Sequence, residues 1–194
     1  FQTFRMKFVT LIDNLIDLLE KDQDFRYFHM DAQTLILKDY LAIRPENEKR
    51  LRNLIASDRI LIGPWFVQND ETLVSGESTI RNLLFGARLC RMLQVEPMKV
   101  GYLPDQFGHI SQMPQILSGF GIDSFISGRG FDAHKRNISE FIWEGADGSK
   151  VLAINMPFWY NNAQRFPEEP EKRSKFLSRL RRSSNLWLQP TTFY

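Results

Sequence analysis

The segment Leu103–Leu117, LPDQFGHISQMPQIL, gathers the residue types that catalysis uses. Asp105 follows closely on the apolar run ending in Val100-Gly101-Tyr102, and Gly108 and His109 come just after it. Ser111 then precedes Gln112-Met113-Pro114-Gln115, which reads as a helix opening. A carboxylate at the C-terminal end of a strand, beside a tight turn and a helix start, sits where α/β enzymes hold reactive groups. Other polar groups fall at other expected strand ends. Asp31 with Gln33 follows the first; Trp65, Gln68, Asp70 and Glu71 follow the second; Arg129, between Gly128 and Gly130, follows the fourth. Gathered on one rim, such a set suits a sugar, with carboxylates for bond cleavage and hydroxyls and an aromatic face for the ring.

Most of these residues have a structural reading beside the chemical one. Asp31 is also placed to cap the helix behind it. Trp65 is also placed to pack its loop. Asp70-Glu71 also suits the first turn of a helix, where the dipole favours acids. His109 is expected one step behind the substrate, His29 in the core, and His134 at the surface. Cys90 lies in an apolar helical stretch and reads as a core thiol rather than a nucleophile. Arg129 is harder to assign to packing, because its flanking glycines let the backbone approach another group closely. An ion pair with Asp105 would still leave it at the site.

The elements that must position these groups follow from periodicity. Phe4, Phe8, Leu11, Ile12, Leu15, Ile16, Leu18 and Leu19 recur near the helical period. Strands are expected at 25–30, 59–63, 98–102 and 124–127. Helices are expected at 32–40, from Pro45 to 57, at 76–93, and at 112–119 with closure by Gly119. Residues 141–143 and 151–154, around Ala146-Asp147-Gly148, read as a hairpin-like pair. Helices alternating with strands imply βα units on a parallel sheet, hence an α/β fold. No Gly-x-Gly-x-x-Gly or Gly-x-x-x-x-Gly-Lys-Ser occurs, so the phosphate cradles of dinucleotide and nucleotide enzymes are missing.

Composition narrows the class further. The 194 residues are 43% hydrophobic and 25% charged, with net charge +2 and no basic patch, which argues against nucleic-acid binding. No apolar run approaches the roughly 20 residues of a membrane span. A single cysteine excludes an internal disulfide framework and suits a reducing, cytoplasmic setting. The chain opens on Phe1 inside a helical pattern and ends on Trp187–Tyr194 without a closing element, so it is expected to be a piece of a longer protein.

Asp105-Gln106-Phe107-Gly108-His109, followed by Gln112-Met113-Pro114-Gln115-Ile116-Leu117, resembles glycoside hydrolase family 38, the retaining α-mannosidases. The bacterial members, which include mannosylglycerate hydrolases, are the most similar. Ile62-Gly63-Pro64-Trp65 with Asp70-Glu71 and Ser75-Gly76-Glu77-Ser78 resembles a second block of that family, and Phe28 to Gln33 and Arg129-Gly130 match further blocks. The resemblance covers roughly 1–175, leaving 176–194 as a divergent tail. It implies a parallel-stranded (β/α)7-type barrel, incomplete in this chain. It implies that Asp105 is the nucleophile and one of four zinc ligands, and that Arg129 lies beside it. Arg129, Asp70, Trp65, Asp31 and Tyr160 become the candidate substrate contacts, with His109 behind them.

The same resemblance implies what is missing. The family's His-x-Asp zinc pair, a later histidine ligand and the general acid find no match here. The chain alone is therefore expected to hold half a site, to bind zinc weakly or not at all, and to be inactive. The expected substrate is an α-mannoside or mannosylglycerate-type molecule, with neither nucleic acid nor membrane as partner; a homo-oligomer is open for the full-length protein. The alternative is a non-catalytic carbohydrate-binding remnant. A deacetylase-like metal enzyme ranks third, because the histidines lack a His-x-x-x-His spacing.

Overall fold

The computed structural model describes residues 2–131, 139–161 and 164–184. The chain divides into two compact units, one of residues 1–69 and 76–99, the other of 70–75 and 100–194.

The first unit begins with α1 (Gln2–Lys21), the helix expected from its apolar stripe. Ile12, Ile16 and Leu19 of that stripe are buried. β1 (Phe28–His29), α2 (Leu35–Leu41), a 3-10 turn over Pro45–Asn47 and α3 (Glu48–Ala56) follow, then β2 (Ile60–Leu61) and α4 (Gly76–Met92). β1 and β2 pair in parallel, Phe28 with Ile60 and His29 with Leu61. Leu37, Tyr40, Leu51, Ile60 and Ile62 complete the core with the α1 residues. Cys90 belongs to the same core, where burial pushes its thiol up to about 12; it is no nucleophile.

The second unit carries β3 (Gly101–Tyr102), α5 (Met113–Gly119), β4 (Ser124–Ser127), β5 (Glu140–Glu144), β6 (Lys150–Asn155) and α6 (Pro170–Ser184). Its sheet runs β3-β4-β6-β5. β3, β4 and β6 are parallel, as the βα reading expects. β5 is antiparallel to β6, so the sheet is mixed. This is the hairpin that the sequence signalled: Asp147 accepts from the Ser149 N–H and Oγ–H, and Gly148 takes φ +83° in the turn. The α/β class therefore holds, with mixed rather than wholly parallel pairing. α6 runs through the boundary expected at 175/176.

Three strands are shorter than their apolar runs. Hydrophobicity specifies which residues are buried, whereas a strand also needs a neighbour in register. Met98 donates its N–H to Ile62 O at 2.9 Å and remains outside a ladder. Gly119 is the last residue of α5 rather than its left-handed terminator. That role falls to Gly121, with φ +68° and its N–H on Ser118 O at 3.0 Å.

Candidate active site

The second unit brings Asp105 and Arg129 together by strand register. Tyr102 of β3 stands opposite Ile126 of β4. Beyond these residues the pairing continues, with Leu103 N–H on Ile126 O and Gly128 N–H on Pro104 O, each at 3.0 Å. Pro104-Asp105 is thus placed opposite Gly128-Arg129 at the C-terminal ends of two adjacent parallel strands. A side chain on Gly128 would put its Cβ 2.6 Å from Pro104 O, so glycine permits this approach.

Arg129 Nη2 lies 2.6 Å from Asp105 Oδ1 and also donates to Asp105 O at 3.1 Å. The Asp105 side chain is 48% exposed and that of Arg129 30%. A pair this open contributes little to stability, about 0–1 kcal/mol. Its consequence is orientation: one oxygen of Asp105 is engaged while the carboxylate stays open to solvent. Arg129 is bracketed by aromatic faces, with its guanidinium carbon 4.0 Å from the Phe107 centroid and 4.9 Å from that of Trp159. Tyr160 is 43% exposed, and its ring would touch a Cβ on Gly128 at 3.2 Å, so it lies against the arginine loop.

Behind this pair lies a buried ionisable one. His109 Nδ1 is 2.7 Å from Glu71 Oε1, and the two side chains are 2% and 0% exposed. His109 Nε2 lies 2.9 Å from Arg129 O and 3.0 Å from Ser127 Oγ, whose own hydroxyl donates to Arg129 O. A carbonyl only accepts, so Nε2 carries a proton and donates. Glu71 also receives the Ile110 N–H on Oε2 at 3.0 Å and gives its own backbone N–H to Gln106 Oε1 at 3.0 Å. Rings of Phe125, Phe131 and Trp143 surround His109, with centroids 4.2 to 5.7 Å away.

Sequence reasoning placed His109 one step back from the site, and in this structure its ring is buried behind Asp105 and Arg129. It missed the pairing of Glu71. The helix-start reading of Asp70-Glu71 is corrected, because α4 begins only at Gly76 and Glu71 faces inward. The available signal was a histidine without a local partner. Asp70 closes its own turn, accepting from Thr72 N–H at 3.2 Å and Thr72 Oγ–H at 3.0 Å. Phe107 and Trp159 were also missed as partners of the arginine.

Asp31 and Trp65 belong to the first unit. Asp31 does not cap α2, whose N-cap is Thr34. It is exposed with φ 49°, accepts from Gln33 Nε2 at 3.1 Å, and its carbonyl accepts from Gln68 Nε2 at 2.8 Å. Trp65 is 0% exposed, and its indole N–H has no hydrogen-bond partner among the described residues. Trp65 thus packs its own loop, one of the two readings open for it in the sequence. α4 fixes that loop: Asn82 Oδ1 accepts from the Phe66 and Val67 N–H groups, and a Cβ on Gly86 would stand 2.0 Å from Pro64 O. His29 is half-buried, and burial holds its imidazole below the usual value against the opposing pull of Asp31. His134 lies outside the described residues.

A zinc ion needs four ligands or three with an open position. Among the described residues no group of three His, Cys, Asp or Glu side chains is placed to hold a metal. Asp105 gives Oδ1 to Arg129 and leaves Oδ2 as a single possible donor, and His109 is engaged at both nitrogens. The described residues do not compose a metal site by themselves.

Comparison with known proteins identifies the family of the chain. The N-terminal domain of the glycosyl hydrolases family 38 matches residues 1–192. A protein of Halalkalibacterium halodurans named "Putative mannosylglycerate hydrolase" is 38% identical over 193 residues, 93% of this chain and 22% of its own length. An α-mannosidase of Saccharomyces cerevisiae is 31% identical, covering 81% of this chain and 15% of its own length. The crystal structure of an α-mannosidase from Enterococcus faecalis superposes with TM-score 0.90 and 32% identity, covering 96% of this chain and 21% of that one. The chain thus spans about a fifth of the length of the Halalkalibacterium halodurans and Enterococcus faecalis relatives. With its strand-end carboxylate and arginine in place, the chain belongs to the glycosyl hydrolases family 38, as an N-terminal domain sequence of that family.

Proposed function

We propose that residues 1–194 belong to a retaining α-mannosidase in which Asp105 is the nucleophile. The observation that carries this reading is the half-exposed Asp105 carboxylate at the end of β3, oriented through Oδ1 by Arg129 Nη2 at 2.6 Å. A retaining glycosidase needs one carboxylate for attack and a second group that is acid, then base. Asp105 would form a bond to the anomeric carbon as the bond to the leaving oxygen breaks and the acid protonates that oxygen. Water, deprotonated by the same group, would then cleave the mannosyl ester and free Asp105.

Arg129 would keep the attacking oxygen in line, and Tyr160 with Asp70 would contact the sugar. Zinc enters this proposal only for the complete protein: Asp105 would give one oxygen donor, and the other donors would come from residues other than those described. The fold of the complete catalytic domain is proposed as a (β/α)7 barrel to which these strands contribute. The name of the Halalkalibacterium halodurans relative favours a mannosylglycerate-type substrate. The chain on its own is proposed to lack turnover, since only one of the two groups has been assigned among its described residues.

The test uses the complete protein with 4-nitrophenyl α-mannoside. Asp105→Asn should lower kcat by about 10,000-fold or more while the folded spectrum is unchanged. Retained turnover in that variant would sink the nucleophile assignment.

A further inference from the structure

We infer that Glu71 is a positioning residue for Asp105, acting through His109 and the backbone of Arg129. The inference rests on the α-mannosidase reading and adds to it a group that touches neither the sugar nor the reacting atoms.

The connection is continuous in named contacts. Glu71 Oε1 holds His109 Nδ1 at 2.7 Å, and the opposite edge of the ring donates from Nε2 to Arg129 O at 2.9 Å. The arginine then reaches Asp105 through Nη2 at 2.6 Å. Glu71 also fixes the other side of the same loop. Its N–H binds the side chain of Gln106, the residue after Asp105, and its Oε2 takes the Ile110 N–H. One carboxylate thus sets both the loop bearing Asp105 and, through one imidazole, the residue that orients it.

Three features argue against simple filling of space. Burying a carboxylate and an imidazole costs several kcal/mol of desolvation, and an apolar pair of similar volume is often as stable. Every oxygen and nitrogen of the pair is matched to a partner, which packing alone does not require. Gly130, at φ +99°, is cut to fit the ring: a Cβ there would stand 2.6 Å from His109 Nε2. With Gly128 pressed on Pro104 O, Arg129 is clamped on both sides.

The test uses the complete protein carrying Glu71→Ala and Glu71→Asp, each alone and combined with Arg129→Ala. The aspartate keeps a negative partner for His109 but is one methylene short of reaching both His109 and Ile110. Alone, Glu71→Ala should lower kcat on 4-nitrophenyl α-mannoside about 100-fold, the scale of an ångström of misplacement, and Glu71→Asp about 10-fold. KM should stay within about 3-fold in both, since the loss lies in orientation for reaction rather than in binding. In the Arg129→Ala background either substitution should cost less than about 2-fold more, because coupled residues are not additive. A full further loss in that background would overturn the inference, and the aspartate variant decides this if the alanine variant does not fold.

A crystal structure of Glu71→Asp gives a readout free of activity. The Arg129 Nη2 to Asp105 Oδ1 separation should lengthen beyond hydrogen-bonding reach; an unmoved arginine would refute the connection. If the wild-type protein turned over no α-mannoside, the α-mannosidase reading would fall, and that crystal structure alone would decide the role of Glu71.

Discussion

The two units handle charge in opposite ways. In the first, ionic groups fasten helices at the surface around an apolar core. Arg50 of α3 spans Asp17 and Glu20 of α1, and Asp13 of α1 gathers Tyr40 and Arg44. Arg59 ends on the backbone carbonyls of Leu19, Asp22, Phe25 and Arg26. In the second unit, Glu71 and His109 are buried, and the arginine serving Asp105 sits under aromatic rings. Asn155, at the end of β6, is 0% exposed with neither amide atom partnered among the described residues. Surface ion pairs cost little to form and contribute little, whereas a buried pair is expensive and is kept where geometry matters. The contrast separates fastening from positioning within one chain.

The sharpest way to break this contrast is to remove one arginine from each unit of the complete protein. Arg129→Ala should lower kcat about 100- to 1,000-fold, as loss of a preorganised donor does. Arg50→Ala should leave kcat unchanged; a comparable loss there would erase the distinction. Next in size, Leu37→Ala should destabilise the first unit by about 2–5 kcal/mol, because Leu37 is fully buried, with kcat per folded molecule unaltered. Thermal unfolding alongside active-site titration separates the two effects.

The smallest effect concerns pH. His29 binds its proton less readily in the folded unit than in the unfolded chain, whose ordinary value is 6.5. The unfolded state therefore takes up more protons as pH falls below 6.5. The stability that His29 contributes is present above that value and is lost as pH drops through the lower folded value. The protection factors of amides in the first unit, corrected for the intrinsic rate at each pH, should fall toward pH 5, and His29→Phe should flatten that dependence. An unchanged slope in the variant would remove His29 as the cause.

The residues differ in how legible they were. α1 and α4 follow from apolar spacing that a helix alone satisfies. Asp105 and Arg129 were visible because short motifs flank them, and register then made them neighbours. The pairing of Glu71 was not legible: its partner lies 38 residues away, and nothing local separates a buried glutamate from an exposed one. Trp65 stayed ambiguous for a different reason. An indole after Gly63-Pro64 suits a binding face or a packed loop equally, and only the approach of α4 decides between them. The left-handed conformations of Asp31 and Ala32, φ 49° and 55°, likewise displaced the cap expected at Asp31 to Thr34.

The bracket around Arg129 bears on the entropy of any later encounter. A free arginine has several rotatable bonds, and freezing a side chain of that kind on binding costs about 0.5–1.5 kcal/mol. Here Phe107, Trp159 and Asp105 already hold the guanidinium. The loss of rotamer freedom is incurred when the second unit folds. An arriving sugar meets a cation whose conformational search has already ended.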